Sequence, residues 1–266
     1  MKITIIGGGN MGEAILKSLL RKKLSTRQEI SVVELLPSRR ELLKRKHGIH
    51  VADDSLTVVT ETQVVILAVK PKELTGLLEQ ISPLLKNQLI ISIVAGYSLE
   101  AIRRKLKYEN VVRAMPNAPA QIGKGMTAWT STPSLSKEHH DITRGILSAL
   151  GEEHYFKDED YIDMATAVSG SGPAYVYLFI EALIDAGVHI GLPRNVAEKL
   201  VIETIIGSAE AMKKLSRHPA EMKNIVTSPG GTTTEALLQL ESGGLRPMII
   251  NAVTAAYQKA RTIGVK

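Results

Sequence analysis

The sequence predicts two domains: an α/β domain on a mostly parallel, doubly wound sheet, and an all-α domain after it. Up to about residue 158, short β-branched apolar runs alternate with amphipathic segments. A glycine-rich turn joins the first apolar run to the first helical segment. From residue 159 to residue 266 no useful strand pattern recurs, and Ala, Leu, Ile and Glu appear at helical spacing.

Composition limits the class of protein. With 266 residues, of which 44% are hydrophobic, the chain can build two cores. It has no cysteine, which excludes a disulfide framework, a thiolate metal site and a cysteine nucleophile. No basic-then-apolar leader opens the sequence, and we see no apolar run approaching the ~18 residues of a membrane span. We therefore expect a cytoplasmic protein with no membrane partner.

The charge of the chain does not by itself indicate nucleic-acid binding. The formal net charge is +6, but the basic clusters lie on or beside predicted helix ends, where cations complement the helix dipole. Aromatic residues make up only 4% of the chain, so the stacking surface of a single-strand-binding protein is missing. We expect no nucleic-acid partner.

The first element is a β-branched strand over residues 3–6, followed at once by glycines and a helix. Gly7, Gly9 and Gly12 match the G-x-G-x-x-G spacing of a dinucleotide-binding turn in its strand–turn–helix context. A Cβ at these positions would obstruct the turn, hold a pyrophosphate away from the backbone, or push the helix off the strand. The helix start then faces an anion. The residues expected to bind the cofactor here are Gly7, Gly8, Gly9, Asn10, Met11 and Gly12.

A second strand over residues 30–33 ends at Glu34, an acidic residue 22 positions past Gly12. An acidic side chain at this place accepts the ribose hydroxyls of NAD. Arg39 and Arg40 follow shortly after and could bind the 2′-phosphate of NADP instead, or could simply form the first turn of a helix over residues 38–46. NAD and NADP therefore both stay open.

The rest of the α/β domain repeats this alternation. Strands are predicted at residues 49–52, 64–69, 89–94, 111–114, 126–129 and 154–156, with helices from Pro71 through Leu85 and over residues 137–150. Ligands bind beyond the carboxyl ends of strands in such sheets. The expected walls of a nicotinamide pocket are therefore the residues Ala68, Val69, Lys70, Pro71, Ala95, Gly96, Met115, Pro116 and Asn117.

The second half of the chain predicts helices over residues 173–187, 195–215, 232–240 and 248–262. Pro173 opens the first of them, and Gly187 is expected to end it. The second helix carries more apolar surface than a small domain would be expected to hide. We therefore expect an all-α dimerisation domain.

A second glycine-rich turn, at residues 228–231, precedes the helix that begins at Thr232. Thr232 and Glu235 have the spacing of a capping box, and the exposed backbone N–H groups form a second candidate anion site. An ordinary capped helix after a Pro-Gly turn is the alternative. A third such turn is expected at residues 169–173. Two such turns in the helical half, beside a dinucleotide-binding half, suggest a small carboxylate held next to a nicotinamide.

Together these motifs resemble the pyrroline-5-carboxylate reductase family over essentially the whole chain. The resemblance rests on GGGNMG (7–12), AVKP (68–71), MPN (115–117), SGSGPAY (169–175), GLP (191–193) and VTSPGGTTTEALLQLE (226–241). It implies a Rossmann domain and a helical domain that interlocks with a partner subunit, in homodimers that often assemble into rings. The implied reaction is reduction of 1-pyrroline-5-carboxylate to L-proline by NADH or NADPH, the last step of proline biosynthesis.

The resemblance also implies roles for particular residues. The second glycine-rich turn would bind the substrate carboxylate, and Thr233, the expected catalytic residue, would offer its hydroxyl to the ring nitrogen. Glu159 also matches the neighbourhood of the substrate. The residues expected to bind substrate are Ser228, Gly230, Gly231, Thr232, Thr233, Ser171 and Asn224. No metal is expected, since hydride transfer to an imine needs none and no metal-ligand motif occurs.

The chain departs from the family after the third strand. Asp53, Asp54 and Ser55 stand where the family often has an Asn that touches the adenosine side of the cofactor. Together with Glu34, these acidic residues make a 2′-phosphate less favourable. Charge thus favours NAD, while the family habit favours NADP.

Two other functions fit the same fold. A β-hydroxyacid dehydrogenase shares the glycine-rich start, but it would need a catalytic lysine in a K-x-x-N setting, which Lys199, Lys213 and Lys214 lack. A non-catalytic nucleotide-sensing protein is the other alternative. Both glycine-rich turns are intact, which favours an enzyme.

Overall fold

The computed structural model describes residues 1–54 and 56–263, without the side chain of Thr57. Within them one eight-stranded sheet is formed by β1 (Ile3–Ile6), β2 (Ile30–Val33), β3 (His50–Ala52), β4 (Val64–Leu67), β5 (Leu89–Ser92), β6 (Val111–Met115), β7 (Gly125–Ser131) and β8 (Gly151–Tyr155). The strand order is β3-β2-β1-β4-β5-β6-β7-β8. All neighbouring strands run parallel except β6 and β7, which pair antiparallel. The predicted mostly parallel, doubly wound sheet is confirmed.

The helices fall into those that accompany the sheet and those that follow it. The first group is α1 (Asn10–Arg21), α2 (Pro37–His47), α3 (Leu56–Val59), α4 (Pro71–Ile81), α5 (Leu99–Leu106), α6 (Lys137–Ser148) and α7 (Asp160–Ala165). The second group is α8 (Gly172–His189), α9 (Arg194–Leu215), α10 (Pro219–Ile225), α11 (Thr232–Ser242) and α12 (Leu245–Thr262).

The sheet is buried on both faces because successive strand residues point to opposite sides. In β4, Val64 and Ile66 join a core with side chains of α1, α2 and α6. The alternate residues Val65 and Leu67 join a second core with side chains of α3, α4 and α5. This double burial explains why the strands are nearly continuous apolar runs.

The strand order reverses beside β1, because the chain moves from β1 to β2 and β3 on one side and then crosses to β4 on the other. The carboxyl ends of β1, β2, β4, β5 and β6 therefore share one edge of the sheet. In such folds this edge, at the switch in strand order, is where ligands bind.

The contacts divide the chain into one unit of Met1–Ser171 with Ala255–Lys266, and a second unit of Gly172–Thr254. Inside the second unit, α8 and α9 pack together around Ile184, Ala197 and Val201. We predicted a domain boundary between residues 158 and 159 from composition and function. The units above are defined by contacts alone, so this boundary stays a prediction.

Several predicted elements need correction at their ends. Gly187 does not end α8, which continues to His189. A Cβ on Gly187 would come within 3.2 Å of the Ala197 Cβ, so this glycine allows close packing of α8 on α9. The strand predicted at residues 154–156 is β8, which begins earlier and stops before Phe156. Helix α10 was not predicted at all.

The turn predicted at residues 169–173 is wrong. Residues 166–170 form one π-helical segment between α7 and α8, and Ser171 N donates to Thr166 O at 2.8 Å. A Cβ on Gly170 would lie 3.2 Å from Met115 Cε, so the glycine lets the widened turn pack against the end of β6. Such π segments often accompany functional sites.

One helical stretch, Asp160–His189, is long and apolar enough to cross a membrane by length and composition alone. Only 6% of its most apolar part is buried inside the protein. The expectation that no apolar run approaches a membrane span is therefore corrected for this stretch.

Candidate functional site

The glycine-rich turn has the geometry that its spacing predicts. Gly7 has φ +108°, and its N–H donates to Val33 O at 2.9 Å. A Cβ on Gly7 would overlap the carbonyl oxygen of Ala68, and one on Gly12 would overlap the carbonyl oxygen of Gly7. Both steric expectations are confirmed. The turn is held between the ends of β1, β2 and β4.

Gly9 differs from its neighbours, since a Cβ there would meet nothing within 4 Å. It precedes α1, a helix of 12 residues, and makes no side-chain cap. The first N–H groups of this helix lack intrahelical acceptors, and the helix dipole adds positive potential. The space beside Gly9 can therefore receive an anion without any rearrangement of side chains.

Glu34 follows β2 at the same edge, and its carboxylate is already oriented. Oε2 accepts from Gly8 N at 3.0 Å, and Oε1 accepts from Leu36 N at 2.9 Å. A carboxylate can accept about four hydrogen bonds, so each oxygen keeps an acceptor site. Gly8 was not expected to be sterically required, yet a Cβ there would lie 2.6 Å from Leu43 Cδ1.

The two arginines considered for a 2′-phosphate both bind protein groups. Arg39 Nε donates to Gly8 O at 2.7 Å, and its Nη2 donates to Glu13 at 2.5 Å. Arg40 Nη1 donates to Glu34 O at 2.9 Å and to Leu35 O at 2.8 Å. Arg39 therefore ties α2 to the glycine-rich turn and to α1, while Arg40 fixes the loop after β2.

Glu13, in the first turn of α1, was not singled out from the sequence. Its carboxylate, 12% exposed, pairs with Arg39, with Lys46 at 2.7 Å and with His47 at 3.0 Å. Burial alone would raise the pKa of Glu13, but hydrogen bonds from Lys46, His47 and Arg39 lower that pKa to about 2. The one feature of the sequence that could have pointed to Glu13 is that it is an acidic residue in the first turn of a helix.

The residues expected to form the pocket walls follow the ends of β4 and β5, and their role stays a prediction. Pro71 is the first residue of α4, and the Glu73 side chain accepts from Lys70 N at 3.3 Å. Ala68 and Val69 are half-buried between β4 and α4, and so are Ala95 and Gly96 after β5. Gly96 has φ +81°, which favours glycine.

The Asn117 side chain is fully used inside the protein. Its Oδ1 accepts from Met126 N at 2.9 Å, and its Nδ2 donates to Ser169 O at 3.2 Å and to Ser169 Oγ at 3.3 Å. It therefore joins the end of β6 to the start of β7 and to the π-helical segment. These bonds make Asn117 a positioning residue, and its expected contact with the cofactor stays a prediction.

Glu159, expected near the substrate, lies in a buried ionic network. Its Oε1 accepts from Arg113 Nη1 at 2.8 Å and from Leu99 N at 2.7 Å. Arg113 also pairs with Asp163 and is only 5% exposed. The network fixes the start of α5, directly after the wall formed by Ala95 and Gly96. This role could not be predicted from spacing, because it joins three distant segments.

The turn before α11 forms as expected, but its cap does not. Gly231 N donates to Ser228 O at 3.0 Å, and Gly230 at the third position has φ +68°, as a type II turn requires. The residue before the helix is Gly231, with no side-chain cap, so the capping box predicted for Thr232 and Glu235 is wrong. A Cβ on Gly231 would overlap Ser228 Oγ and lie 3.2 Å from Ser228 O, so a larger residue there would require the Ser228 side chain to rotate.

The three threonines that open α11 have different surroundings. Thr234 Oγ1 donates to Ser228 O at 2.6 Å, which fixes the turn. Thr232 is exposed, and Thr233 is half-buried with no hydrogen bond to its hydroxyl from any residue that the structure describes. Asn224, in α10, is also exposed. Thr233 Oγ1 is thus available to a ligand at a helix N-terminus.

The predicted site residues form two groups, one within each unit of the chain. The glycine-rich turn, Glu34, the strand-end walls and Ser171 belong to the first unit, and residues 224–233 belong to the second. Among residues 1–54 and 56–263, no three His, Cys, Asp or Glu side chains come together as metal ligands would. The part of the adenosine region at Ser55 lies outside the described residues.

Two family models match the chain. Residues 159–263 match the model described as pyrroline-5-carboxylate reductase dimerisation. Residues 2–96 match the model described as NADP oxidoreductase coenzyme F420-dependent.

Individual relatives match over the full length. The chain is 42% identical to the pyrroline-5-carboxylate reductase of Synechocystis sp., over 100% of this chain and 99% of the relative. A solved pyrroline-5-carboxylate reductase from Coxiella burnetii is 34% identical with a TM-score of 0.90, covering 100% of this chain and 99% of that one. The Plasmodium falciparum pyrroline carboxylate reductase with NADP bound is 33% identical with a TM-score of 0.92, over 100% and 98% of the two chains.

Proposed function

The chain belongs to the pyrroline-5-carboxylate reductase family, and on that premise we propose how its residues perform the reaction. The enzyme is an NAD(P)H-dependent oxidoreductase that reduces the C=N bond of 1-pyrroline-5-carboxylate and yields L-proline. The observation that carries this assignment is the 42% identity over the whole chain with a pyrroline-5-carboxylate reductase. Neither a β-hydroxyacid dehydrogenase nor a nucleotide sensor has comparable support.

The cofactor is proposed to bind along the carboxyl edge of the sheet. Backbone N–H groups around Gly9 and at the start of α1 would hold the pyrophosphate, where the absence of a Cβ leaves open space. The loops after β4 and β5, with Met11 and Asn10 on the other side, would flank the nicotinamide. When bound, the reduced nicotinamide supplies the hydride.

The substrate carboxylate is proposed to bind at the start of α11. Gly230 and Gly231 keep the turn free of side-chain bulk, and Ser228 and Thr232 add hydroxyl donors to the N–H groups of the helix. Ser171 and Asn224 are proposed as further polar contacts, on the strength of the family resemblance.

Thr233 is proposed as the residue nearest to the reacting atoms. When hydride is added to the imine carbon, the ring nitrogen takes a proton that comes from the solvent, and a hydrogen bond from Thr233 Oγ1 would favour the developing amine. A hydroxyl of ordinary acidity is a weak general acid, so its contribution should be modest. Orientation of substrate and cofactor supplies the larger part of the rate.

The test compares two substitutions at the two proposed ligand sites. Gly9→Ala should weaken NADH binding at least about tenfold without unfolding the protein, because the added Cβ meets only open space. Thr233→Ala should lower kcat about tenfold and leave cofactor affinity unchanged. The assay follows absorbance loss at the reduced nicotinamide band, with cofactor affinity measured separately by fluorescence titration.

Thr60→Ala, an equal change at an exposed site of the first unit, serves as the control and should behave as wild type. Oxidation of NADH with 3-oxo acids but not with 1-pyrroline-5-carboxylate would contradict the proposed reaction. Equal loss of cofactor affinity and turnover in Thr233→Ala would contradict the role given to Thr233.

We propose that NADH is the preferred cofactor. The Glu34 carboxylate is oriented at the end of β2 with an acceptor site left on each oxygen, which suits the two ribose hydroxyls. A 2′-phosphate there would meet that negative charge, while both nearby arginines already bind protein groups. Leu35 and Leu36, 72% and 64% exposed, would offer an apolar surface to the adenine.

Separate titrations of NADH and NADPH at fixed substrate test this preference. We expect kcat/KM to be higher with NADH, and Glu34→Gln to reduce the NADH-to-NADPH ratio about tenfold. Glu61→Gln removes the same charge at a site 77% exposed and should leave the ratio unchanged. A wild-type enzyme that works better with NADPH would rule the preference out.

The enzyme is further proposed to be a homodimer through its C-terminal helices, which can assemble into a ring of dimers. The dimerisation model covers this region, and α8 exposes Tyr177, Leu178 and Phe179 by 44% or more. A second copy is the proposed occupant of this face, including the apolar part of Asp160–His189.

We propose a cytoplasmic location, because the absence of cysteine fits a reducing compartment. Recovery of the protein in the membrane pellet after cell fractionation would contradict this location.

A further inference from the structure

The Glu13 carboxylate lies among basic side chains beside the proposed adenosine site. Arg39, Lys46 and His47 all contact it; the Glu13 and His47 side chains are 12% and 9% exposed, and Lys46 is 51% exposed. With His47 neutral, the four side chains carry a net charge of +1 (two cations and one carboxylate). Without the Glu13 charge they would carry +2. Nothing in the proposed reaction uses this cluster.

The cluster is connected directly to the residue that orients Glu34. Gly8 donates its N–H to Glu34 Oε2 at 3.0 Å, and its carbonyl oxygen accepts from Arg39 Nε at 2.7 Å. One peptide residue therefore holds a carboxylate on one side and a guanidinium on the other. If the ribose hydroxyls bind Glu34, as proposed above, Gly8 links the Arg39 guanidinium to the place where a 2′-phosphate would be bound.

We infer that Glu13 is a determinant of cofactor specificity, since it pairs with Arg39 and so withholds that guanidinium from the 2′-phosphate of NADPH. The inference rests on the proposed function, because it concerns the same cofactor site. Arg39 is anchored at two of its nitrogens, Nε and Nη2. Guanidinium groups bind phosphate through a planar pair of N–H groups, so loss of the Glu13 contact would free Nη2 to bind a phosphate together with Nη1, while Nε stays on Gly8 O.

Glu13 and Glu34 then exclude the 2′-phosphate in different ways. Glu34 repels it and accepts the free hydroxyls in its place. Glu13 would act indirectly, because it forms an ion pair with the Arg39 guanidinium that could otherwise bind the phosphate. A substitution at Glu13 should consequently improve NADPH binding and leave NADH binding nearly unchanged, whereas a substitution at Glu34 should weaken NADH binding as well.

The test measures the dissociation constants of NADH and NADPH by nicotinamide fluorescence, with no substrate present. In Glu13→Gln the ratio of the NADH constant to the NADPH constant should rise at least about tenfold, which corresponds to about 1.4 kcal/mol. In the double variant Glu13→Gln with Arg39→Gln this gain should disappear. Glu41→Gln, an equal charge change at an exposed site of α2, should leave the ratio unchanged.

An unchanged ratio in Glu13→Gln, or a gain that survives the loss of Arg39, would overturn the inference. If Glu13→Gln does not fold, Glu13→Asp shortens the same carboxylate and should shift the ratio in the same direction; no shift there would also overturn it. Since the measurement uses cofactor alone, a failure of the proposed reductase reaction would be seen separately, in the assay with 1-pyrroline-5-carboxylate.

Discussion

Glu34 and Glu13 show how position decides what a carboxylate does. Both lie near the glycine-rich turn, separated by 21 residues (34 − 13) in the sequence. Glu34 is held by two backbone N–H groups and keeps acceptor sites for a ligand. Glu13 instead accepts hydrogen bonds from three side chains, Arg39, Lys46 and His47.

The lowered pKa of Glu13 predicts a particular dependence of stability on pH. A carboxyl group with a pKa of about 2 in the folded protein, against 4.5 for an ordinary Glu, stabilises the fold above about pH 4.5. This contribution, up to about 3 kcal/mol, is lost as the pH falls from about 4.5 toward 2. Glu13→Gln should therefore lower the free energy of unfolding near neutral pH and have little effect near pH 2.

Urea unfolding at a series of pH values measures this effect. Glu41→Gln is the control, and its difference from wild type should stay small at every pH. A Glu13→Gln difference that does not shrink in acid would show that the carboxylate contributes through packing alone.

Local sequence rules described the glycine-rich turn after β1 well and the side chains around it poorly. Gly7 and Gly12 could be assigned from spacing, because a tight strand-to-helix turn has few steric solutions. The partners of Arg39 could not, since Glu13 precedes it by 26 residues and meets it only when α1 and α2 pack together. The helix end predicted at Gly187 was wrong for the same reason, because this glycine allows a tertiary contact with Ala197 and does not end the helix.

Among the elements, the irregular π-helical segment is the clearest case of sequence reasoning failing near a proposed site. Residues 169–173 carry two glycines and a proline, which are typical of a turn. The segment instead stays helical with a wider turn, and its carbonyl and hydroxyl at Ser169 accept from Asn117. Tertiary contacts with the end of β6 therefore decided the local conformation.

The ionic network beneath this segment gives a prediction for α5 and α7. Arg113→Met would leave the carboxylates of Glu159 and Asp163, 27% and 20% exposed, without their shared cation, and loss of such a partly buried partner typically costs about 1–3 kcal/mol. Chemical denaturation should show this loss in the free energy of unfolding. Arg104→Met, on an exposed face of α5, should change it by less than about 0.5 kcal/mol; equal effects of the two substitutions would contradict the importance of the network.

For the whole molecule, the second unit exposes more large apolar side chains than it buries. Its buried apolar core consists of Ile184, Ala197 and Val201. Exposed residues of comparable size include Leu178, Leu200, Ile206, Leu238 and Ile250. This excess of exposed apolar surface over core is unusual for a soluble monomer, and it supports the proposed association of two copies.

A charge placed on this face should separate the copies. Leu178 is 66% exposed in α8, so Leu178→Glu should leave its own helix intact and yield a species near 28.9 kDa, whereas wild type should have a multiple of that mass. Light scattering after size-exclusion chromatography measures both. Ile122→Glu, at a site 71% exposed in the first unit, should retain the wild-type mass. A wild-type mass of 28.9 kDa would exclude the dimer.

The two backbone hydrogen bonds on the Glu34 carboxylate have a consequence for how fast a nucleotide is captured. Because folding has already oriented this carboxylate, an adenosine that binds there as proposed should lose little protein conformational entropy on binding. Capture should then be a single bimolecular event without a later isomerisation, and crystals grown with and without nucleotide should show the same Glu34 rotamer.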